Sequence, residues 1–482
     1  MTRIVVGPFN RVEGDLEVTL EVEDGAVRSA QVNSPLFRGF EQILAGKAPL
    51  DALALVPRIC GICSVAQSAA AAQALAHAMG VDPPENGRLA SNLVLAAENL
   101  ADHLTHFYLF FMPDFARRQY ARRRWFPLAE QRFQAMRGSA SAETLGARAH
   151  FLELMGILAG KWPHTLALQP GGSSRPVQPA EKVQLFVLLR AFRNFLERVV
   201  FGDELERVGA IDGLSALEAW RDERPVNAQA SDFRLFLEIA ADLDVSRLGR
   251  ATDVFLSYGA YRQAAATHFA AGVFDGALHA LEEPTISEDV SHAWLVEDAP
   301  RHPAEGATRP APDKPGAYTW CKAPRLGGRV VEVGALARQV VNGHPLARDL
   351  VFRAGGNVFS RVVARLLELA LVVPEMERWA MSLEPGAPFC LSGTEPDDAT
   401  GAGLVEAARG SLGHWLVIRR GRINGYQIVA PTTWNFSPRD AAGRPGALEQ
   451  ALVGTPAGEG EAEVAVQHVV RSFDPCMVCT VH

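Results

Sequence analysis

Cysteine is scarce in this sequence, with six residues among 482, too few for a disulfide scaffold in a chain of this length. Long apolar runs are also missing, because charged residues interrupt them well short of the 18 residues that a membrane span needs. The N-terminal segment MTRIVVGPFNRVEG lacks the apolar stretch of an export signal. We therefore predict a chain without a membrane anchor that is located in the cytoplasm.

An excess of positive charge is absent as well. The 47 Lys and Arg residues against 55 Asp and Glu residues give a net charge of −8, which excludes a global attraction to nucleic acid. The arginine-rich segment 117–124 is therefore interpreted as a charged surface facing solvent or a subunit. No internal repeat, coiled-coil heptad or phosphate-binding loop is found, and the Gly-rich segment 170–174 lacks the lysine of a P-loop.

The remaining patterns are those of a folded globular protein with long helices. Alternating apolar residues at 16–22 and a turn at 23–25 predict a hairpin, and residues 416–429 predict a second one. Apolar spacing and alanine content predict helices within 53–79, 89–111, 183–200 and 357–371. Segments 300–315 and 443–463 are predicted to be irregular surface excursions. The expected fold class is α+β but mainly α, a bundle of long helices with small peripheral sheets in one domain, 1–482.

Four of the six cysteines form two Cys-x-x-Cys pairs, Cys60 with Cys63 and Cys476 with Cys479. Two such pairs can converge into four thiolates around zinc, an iron–sulfur cluster or another thiophilic transition ion. Because 412 residues lie between the pairs, a local zinc ribbon is excluded and a site at the centre of the fold is favoured. The alternatives are four unrelated buried thiols, or a redox disulfide within each pair.

The surroundings of the first pair and the other candidate ligands can also be interpreted. The helix predicted to begin near Ser64 would offer unpaired N–H groups to the first cysteine pair and stabilise thiolates there. His103 and His106 are interpreted as a hydrogen-bonded core network rather than as a metal-ligand pair. The isolated Cys321 and Cys390 are predicted to be small core residues.

An ordered series of short motifs along essentially the whole chain resembles the large, catalytic subunit of the NiFe-hydrogenases. The related subunit of respiratory complex I shares that fold but lacks these cysteines, so the cysteines favour a metal site. The motifs are Arg11–Gly14, Arg38–Glu41, Arg58–Cys63, Lys161–His164, Pro170–Gly172, Glu332–Arg338, Ala408–His414, Pro431–Asn435 and Asp474–His482.

The resemblance implies a nickel ion bound by four cysteines, two of which also bridge to an iron that carries carbon monoxide and cyanide. By position, Cys60 and Cys476 resemble the terminal nickel ligands, and Cys63 and Cys479 the bridges. Glu13 resembles the first proton acceptor, which must lie within reach of a terminal sulfur. Soft thiolates suit nickel, and a terminal thiolate can accept the proton when H2 is split.

Other residues resemble the surroundings of that centre. Arg409 is similar to the guanidinium held over the open metal position, with Asp102 and Asp474 as its anionic partners. Thr432 or Thr433 resembles the hydroxyl donor to a cyanide. The resemblance also implies a structural magnesium ion that pins the C-terminal tail, a hard cation suited to oxygen ligands. Its expected ligands are Glu41, His482 and the backbone carbonyl of Ile428.

Two departures from the usual family pattern guide the finer prediction. Gln67 stands where most members have histidine, as in the H2-sensing, regulatory branch, and Asp15 replaces the usual histidine after Glu-Gly. Ile62 and Phe110 are bulky at positions that resemble the gas-channel constriction, where bulk accompanies tolerance of O2 in the sensor branch. Ordinary core packing is the alternative for these two side chains.

The resemblance therefore implies heterolytic cleavage of H2 in a regulatory hydrogenase that signals through a histidine kinase. Since no further cysteine cluster is available for electron relays, a small subunit with Fe–S clusters is an expected obligate partner, as a heterodimer or a dimer of heterodimers. An energy-conserving uptake hydrogenase is the alternative within the family. A non-catalytic protein with structural zinc in the four thiolates is the alternative from another class.

Overall fold

Helices of very different length are the main secondary structure of the fold. The computed structural model describes residues 2–224, 231–263, 266–480 and 482. The α-helices are α1 Phe40–Leu44, α2 Asp51–Leu55, α3 Ser64–Met79, α4 Glu85–Thr105, α5 Phe126–Phe133, α6 Ser139–Ala159, α7 Pro179–Phe195, α8 Leu205–Gly209, α9 Leu214–Asp222, α10 Asp232–Leu243, α11 Ala335–Asn342, α12 Pro345–Ala354, α13 Val358–Ser382, α14 Pro431–Asn435, α15 Ala447–Leu452, α16 Glu461–Ser472 and α17 Met477–Thr480.

Short strands form small, separate antiparallel sheets. The strands are β1 Thr2–Val6, β2 Glu17–Glu23, β3 Ala26–Asn33, β4 Leu168–Gln169, β5 Gly172–Ser173, β6 Phe255–Arg262, β7 Thr267–Phe274, β8 Leu278–His279, β9 Ile286–Asp289, β10 Ala323–Leu326, β11 Ala399–Ala407, β12 Gly410–Arg419 and β13 Arg422–Val429. Their orders are β1-β2-β3, β4-β5, β6-β7-β8, β10-β9 and β11-β12-β13. This is the predicted α+β, mainly α class.

Both predicted hairpins are present. The first is β2–β3, in which Val18 pairs with Val32 and Leu20 with Ala30, and all four side chains are buried. The strand β1 adds to its open edge. The second is β12–β13, with a register shift between Val417 and Ile418. Alternating buried residues give the first hairpin one apolar face, whereas β12 of the second hairpin is buried along almost its whole length.

The helix α3 lies directly against the strand β11, and small residues on both elements permit this close approach. A Cβ atom on Gly403 would lie 1.9 Å from the Ala70 carbonyl oxygen, and one on Gly401 would lie 2.1 Å from that of Ala74. No larger residue fits at these two positions without moving the helix. The alanine-rich α3 is thereby fixed on a glycine-containing strand, and its N-terminus is fixed with it.

Two of the three longest helices, α4 and α13, pack against each other, and α4 also contacts α3. The predicted helix within 89–111 is α4 followed by a π-helical segment, His106–Phe111. The predicted helix within 183–200 is α7 followed by a second π-helical segment, Leu196–Phe201. The helix predicted at 357–371 begins after Asn357, whose side chain caps it, and extends to Ser382 past Pro374.

Three sequence predictions need correction. The helical region 53–79 is interrupted by a 3-10 turn, Val56–Ile59, and a loop that carries Cys60. Segment 443–463 is not wholly irregular, because buried Ala447, Leu448, Ala451 and Leu452 hold α15 against the core, and α16 starts at Glu461. Cys390 is exposed rather than buried, since it lies in the surface segment that follows α13, whereas Cys321 is buried as predicted.

An extensive apolar core includes side chains from both ends of the chain, from Phe9 to Cys479. The assignment of 1–482 to one domain stays a prediction. Within the described ranges, we find no helix with the length and apolar character needed to cross a membrane.

Candidate metal centre

The two cysteine pairs, distant in sequence, meet in the interior. The Sγ atoms of Cys60 and Cys476 are 3.5 Å apart, those of Cys63 and Cys479 are 3.2 Å apart, and those of Cys476 and Cys479 are 3.1 Å apart. All four lie within 4.8 Å of one another and are buried. All four are free thiols. This geometry excludes four unrelated thiols and favours a shared metal.

The first pair is held by the turn that precedes α3. Cys60 ends the 3-10 turn, and Cys63 is the N-cap residue of α3. The backbone N–H groups of Ile62 and Cys63 donate to Cys60 Sγ at 3.3 and 3.4 Å. Backbone donors at a helix start stabilise a thiolate, as the sequence predicts.

The second pair is fixed by contacts of the C-terminal segment with the N-terminal one. Glu13 and Cys476 form a parallel β-bridge, and Met477 N–H donates to the Glu13 carbonyl at 2.7 Å. The Cys476 N–H donates to Thr432 Oγ1 at 3.1 Å. Gly14 has φ +80°, and a Cβ atom there would lie 3.0 Å from Val478. A glycine is therefore required where the two segments cross.

The ionisation of the thiols fits a cation at their centre. Hydrogen bonds from Cys476, Cys479 and Cys63 lower the pKa of Cys60 well below its usual range. Burial raises the pKa of Cys476 well above its usual range, and the neighbouring Cys479 and Cys60 sulfurs add to this. Four thiolates in one buried cage thus repel one another, and a soft cation is what allows all of them to ionise.

Arg409 is buried beside this cage between two carboxylates. Its Nη1 lies 2.9 Å from Asp102 Oδ2, its Nη2 lies 3.1 Å from Asp474 Oδ1, and its Nε donates to the Asp474 carbonyl at 2.8 Å. Burial opposes the charge of Arg409, but the two carboxylates raise its pKa well above the usual range. The guanidinium is therefore a permanent, oriented positive charge.

The half-buried Glu13 lies close enough to the cage to feel its charge. Burial raises the pKa of Glu13, the Cys60 sulfur raises it further, and Arg409 and Arg38 oppose the shift. A carboxylate with a raised pKa beside a thiol suits proton exchange.

Thr432 and Thr433 differ in role, because Thr433 Oγ1 accepts from the Ala430 N–H at 3.3 Å and caps α14 instead of contacting the tail.

Gln67 is buried in α3, one turn after Cys63. Its Oε1 lies 2.8 Å from His414 Nε2, and His414 Nδ1 lies 2.8 Å from Tyr426 Oη. His414 belongs to a motif of the predicted series, but the sequence does not assign it a role. Only the packing of β12 against α3 shows that it contacts Gln67.

The residues predicted to bind magnesium also come together. The His482 Nε2 atom and the Ile428 N–H contact Glu41 Oε1 at 3.2 and 2.9 Å. The Ile428 contact thus involves its amide, whereas the prediction names its carbonyl. Burial opposes ionisation of Glu41, but Lys322 and His482 lower its pKa to about 2. Val481, within the last motif, lies outside the described residues.

Sequence reasoning missed several polar residues of this region. Lys322 Nζ contacts Glu41 and Glu288 at 3.2 Å and Gln427 Oε1 at 2.5 Å, from segments distant in sequence that gave no common signal. Glu98 accepts from the Val65 and Ala66 N–H groups, both at 2.9 Å, at the start of α3. An acidic residue among the apolar positions of a predicted helix was the available signal for Glu98.

The predicted histidine network is observed in the core. His103 Nε2 lies 3.1 Å from Glu368 Oε1, and His106 Nε2 lies 2.6 Å from the Arg471 carbonyl oxygen. Neither histidine belongs to the cysteine cage.

The arginine-rich segment contributes to a charged surface, where Arg123 pairs with Asp242 and Glu461.

The fold is that of a hydrogenase large subunit. The structure superposes on the Ni-Fe-Se hydrogenase of D. vulgaris Hildenborough in the as-isolated oxidised state with a TM-score of 0.85 and 30% identity, with 100% of both chains covered. The reduced, active Ni-Fe-Se hydrogenase from Desulfomicrobium baculatum gives a TM-score of 0.86 and 29% identity, again over 100% of both chains.

Sequence comparison identifies the protein family. The family described as Nickel-dependent hydrogenase matches residues 38–121 and 139–482, and the chain belongs to this family. It is 31% identical to the periplasmic NiFeSe hydrogenase large subunit of Desulfomicrobium baculatum, covering 100% of this chain and 95% of that one. It is 29% identical to the uptake hydrogenase large subunit of Bradyrhizobium diazoefficiens, with 100% and 95% covered. The Hydrogenase-2 large chain of Escherichia coli (strain K12) is 27% identical, with 100% and 97% covered.

Proposed function

We propose that the chain is the catalytic subunit of a hydrogenase that cleaves H2 heterolytically at a nickel–iron centre. The observation that carries this proposal is the convergence of Cys60, Cys63, Cys476 and Cys479 into one buried cage. Metals held by these four cysteines would supply a Lewis-acidic position that polarises H2. Carbon monoxide and cyanide on iron are part of the proposal and rest on the resemblance alone.

The protein contributes a proton acceptor and a fixed charge. Glu13, joined to Cys476 through the backbone bridge, would receive the proton from a terminal cysteine sulfur that has been protonated and pass it toward the surface. Arg409 places a permanent positive charge beside the cage, and Asp102 and Asp474 fix its orientation. Because the guanidinium stays protonated and keeps its orientation, it stabilises the negative charge that develops when H2 is split into hydride and proton.

The surrounding residues anchor the centre. Thr432 or Thr433 serves as the hydroxyl donor to a cyanide, and Thr432 is the better candidate because its hydroxyl also binds the tail at Cys476. We assign a structural magnesium ion to Glu41, the carbonyl of Ile428 and His482. Oxygen atoms of Glu288 and Gln427 lie in the same cluster and suit the water molecules of this hard cation.

Electrons must leave through a partner. The described residues contain one group of cysteines that could hold a metal, so no relay of clusters is available within them. We propose a small subunit with Fe–S clusters, in a heterodimer or a dimer of heterodimers. The names of the relatives, which are large subunits or large chains, support such a partner.

Two physiological roles are supported by different observations. Gln67, at a position where most of the family has histidine, supports an H2 sensor that signals through a histidine kinase and turns over slowly. The similarity to an uptake hydrogenase large subunit supports an energy-conserving role instead. We propose the sensor as the first candidate and the uptake enzyme as the second. The cytoplasmic location stays a prediction, which cell fractionation can test.

Metal analysis with infrared spectroscopy of the purified complex tests the chemistry. Nickel and iron together with carbonyl and cyanide bands are the expected result. Zinc in the cage without such bands would replace the proposal by the structural-zinc alternative. The Cys476→Ser variant should lose nickel. Its matched control is Cys390→Ser, at an exposed cysteine outside the cage, which should keep nickel.

Deletion of the gene separates the two roles. A sensor predicts that H2-dependent transcription is lost while growth on other electron donors is unchanged. Transcription that still responds to H2 after the deletion, with loss of H2 consumption, would instead establish the uptake role.

A further inference from the structure

Three buried polar side chains form a line that ends on α3, one helical turn after Cys63. Tyr426, His414 and Gln67 are connected by two hydrogen bonds of 2.8 Å each. Gln67 follows Cys63 by four positions, and its N–H donates to the Cys63 carbonyl at 3.2 Å. Because helical side chains tilt toward the preceding turn, the Gln67 side chain lies on the face that carries Cys63.

The proton positions along this line follow from the acceptors available. His414 is buried, and its two ring nitrogens contact only the neutral groups Tyr426 Oη and Gln67 Oε1, so the imidazole is neutral and carries one N–H. A proton on Nδ1 would point at Tyr426 Oη and leave the tyrosine proton without an acceptor among the described hydrogen bonds. A proton on Nε2 donates to Gln67 Oε1, while Tyr426 donates to Nδ1. This second arrangement gives the His414 and Tyr426 protons an acceptor each, so burial favours it.

The orientation of the Gln67 amide then has one solution. Its oxygen faces His414, so its nitrogen faces away, and Gln67 Nε2 has no hydrogen-bond partner among the described residues. An amide N–H group suits the lone pairs of a thiolate, whereas an amide oxygen would repel them.

We propose that His414 is a positioning residue that, as the Nε2–H tautomer, holds the Gln67 amide N–H groups toward the cysteine thiolates. The proposal rests on the proposed metal centre. A donor near a bridging thiolate withdraws electron density from the sulfur and so tunes the metals. The glutamine that stands in place of histidine at position 67 thus acts together with His414 and Tyr426, whose hydrogen bonds fix the orientation of its amide group.

The tautomer can be measured directly. In the complex with ¹⁵N-labelled histidine, NMR should show His414 with a protonated Nε2 and an unprotonated Nδ1, assigned by the signal lost in His414→Phe. A protonated Nδ1 would overturn the proposal, whatever metal the protein contains.

A double-mutant cycle tests the positioning role. His414→Phe should shift the cyanide bands and lower the rate of H2 oxidation about 10-fold, as loss of an outer contact does at metal sites. In the Gln67→Leu background, where no amide remains to be oriented, His414→Phe should add no further band shift. Equal band shifts in both backgrounds, or none in either, would refute the role of His414.

Matched controls separate this role from folding and from the proposed function. His468 is a second buried histidine bonded to a tyrosine, Tyr120, at 2.8 Å, and His468→Phe should leave the bands unchanged. Should His414→Phe not fold, Tyr426→Phe removes one oxygen and should still shift the bands, and unchanged bands in that variant would contradict the proposal. Absence of carbonyl and cyanide bands in the wild-type complex would defeat the proposed function, while the NMR result on the tautomer would still decide this inference.

Discussion

At the scale of single residues, the fork of Arg409 is a feature that no other side chain reproduces. It contacts Asp102 through both Nη atoms and the Asp474 carbonyl through Nε. Lysine keeps the charge but offers one ammonium group, which cannot make these contacts together. We expect Arg409→Lys to lower the rate of H2 oxidation about 100-fold, a typical loss for a preorganised donor.

The measurement is H2-dependent dye reduction, with nickel content determined on the same sample. Nickel should be retained, since Arg409 is not a ligand. Arg419→Lys, at an exposed arginine 3.9 Å from Asp398, is the control and should behave like the wild type. A rate for Arg409→Lys within twofold of the wild type would show that the fork is not needed.

Ile62 and Phe110 carry the second prediction at this scale. Both side chains are half-buried, and the Ile62 N–H donates to Cys60 Sγ. If they constrict the gas path, the double variant Ile62→Val with Phe110→Leu widens it, because tight interiors respond to small losses of volume. We expect faster inactivation of H2 oxidation by O2, measured by the loss of activity with time under air. An unchanged rate of inactivation would mean that these side chains are ordinary core packing.

At the scale of elements, the contact between α3 and β11 sets the position of the first cysteine pair. A methyl group on Gly403 would overlap the Ala70 carbonyl oxygen at 1.9 Å. Gly403→Ala should therefore destabilise the protein by about 3 kcal/mol, as overpacking does, and reduce nickel incorporation because α3 must shift. Urea unfolding and metal analysis measure the two effects.

Gly425→Ala is the matched control for that variant. Gly425 lies in the same sheet, and a Cβ atom there would meet Val417 at an ordinary 3.9 Å. It should change stability little. Equal stability of the two alanine variants would mean that the helix adjusts without cost and does not position Cys63.

Some elements and site contacts could be predicted from the sequence, and others could not. The alternation at 16–22 predicts the first hairpin, and the spacing of Cys60, Cys63, Cys476 and Cys479 predicts the cage, because both signals are local or chemically specific. The contact of Lys322 with Glu41 was not predicted, since it joins segments that share no pattern. The helix α15 was missed because glycine and proline around it obscured four buried apolar residues.

At the scale of the whole molecule, the C-terminal histidine connects the tail to the core. His482 contacts the Cys479 carbonyl at 2.7 Å and Glu41 at 3.2 Å. His482→Ala should abolish binding of the proposed magnesium ion and lower nickel content, because the helix α17 that carries Cys479 loses its anchor. Elemental analysis of the purified complex measures both metals. His150→Ala, at an exposed histidine, is the control, and full magnesium content in His482→Ala would argue against the assigned site.

The cage also has a consequence for biosynthesis, since Cys60 and Cys476 are 416 positions apart. At a synthesis rate of roughly 5 to 20 residues per second, the first pair leaves the ribosome about 20 to 80 s before the second. During that interval two thiols are available to any stray soft ion in the cell. The complete cage can therefore form, and the centre can be loaded, only after translation has passed residue 479.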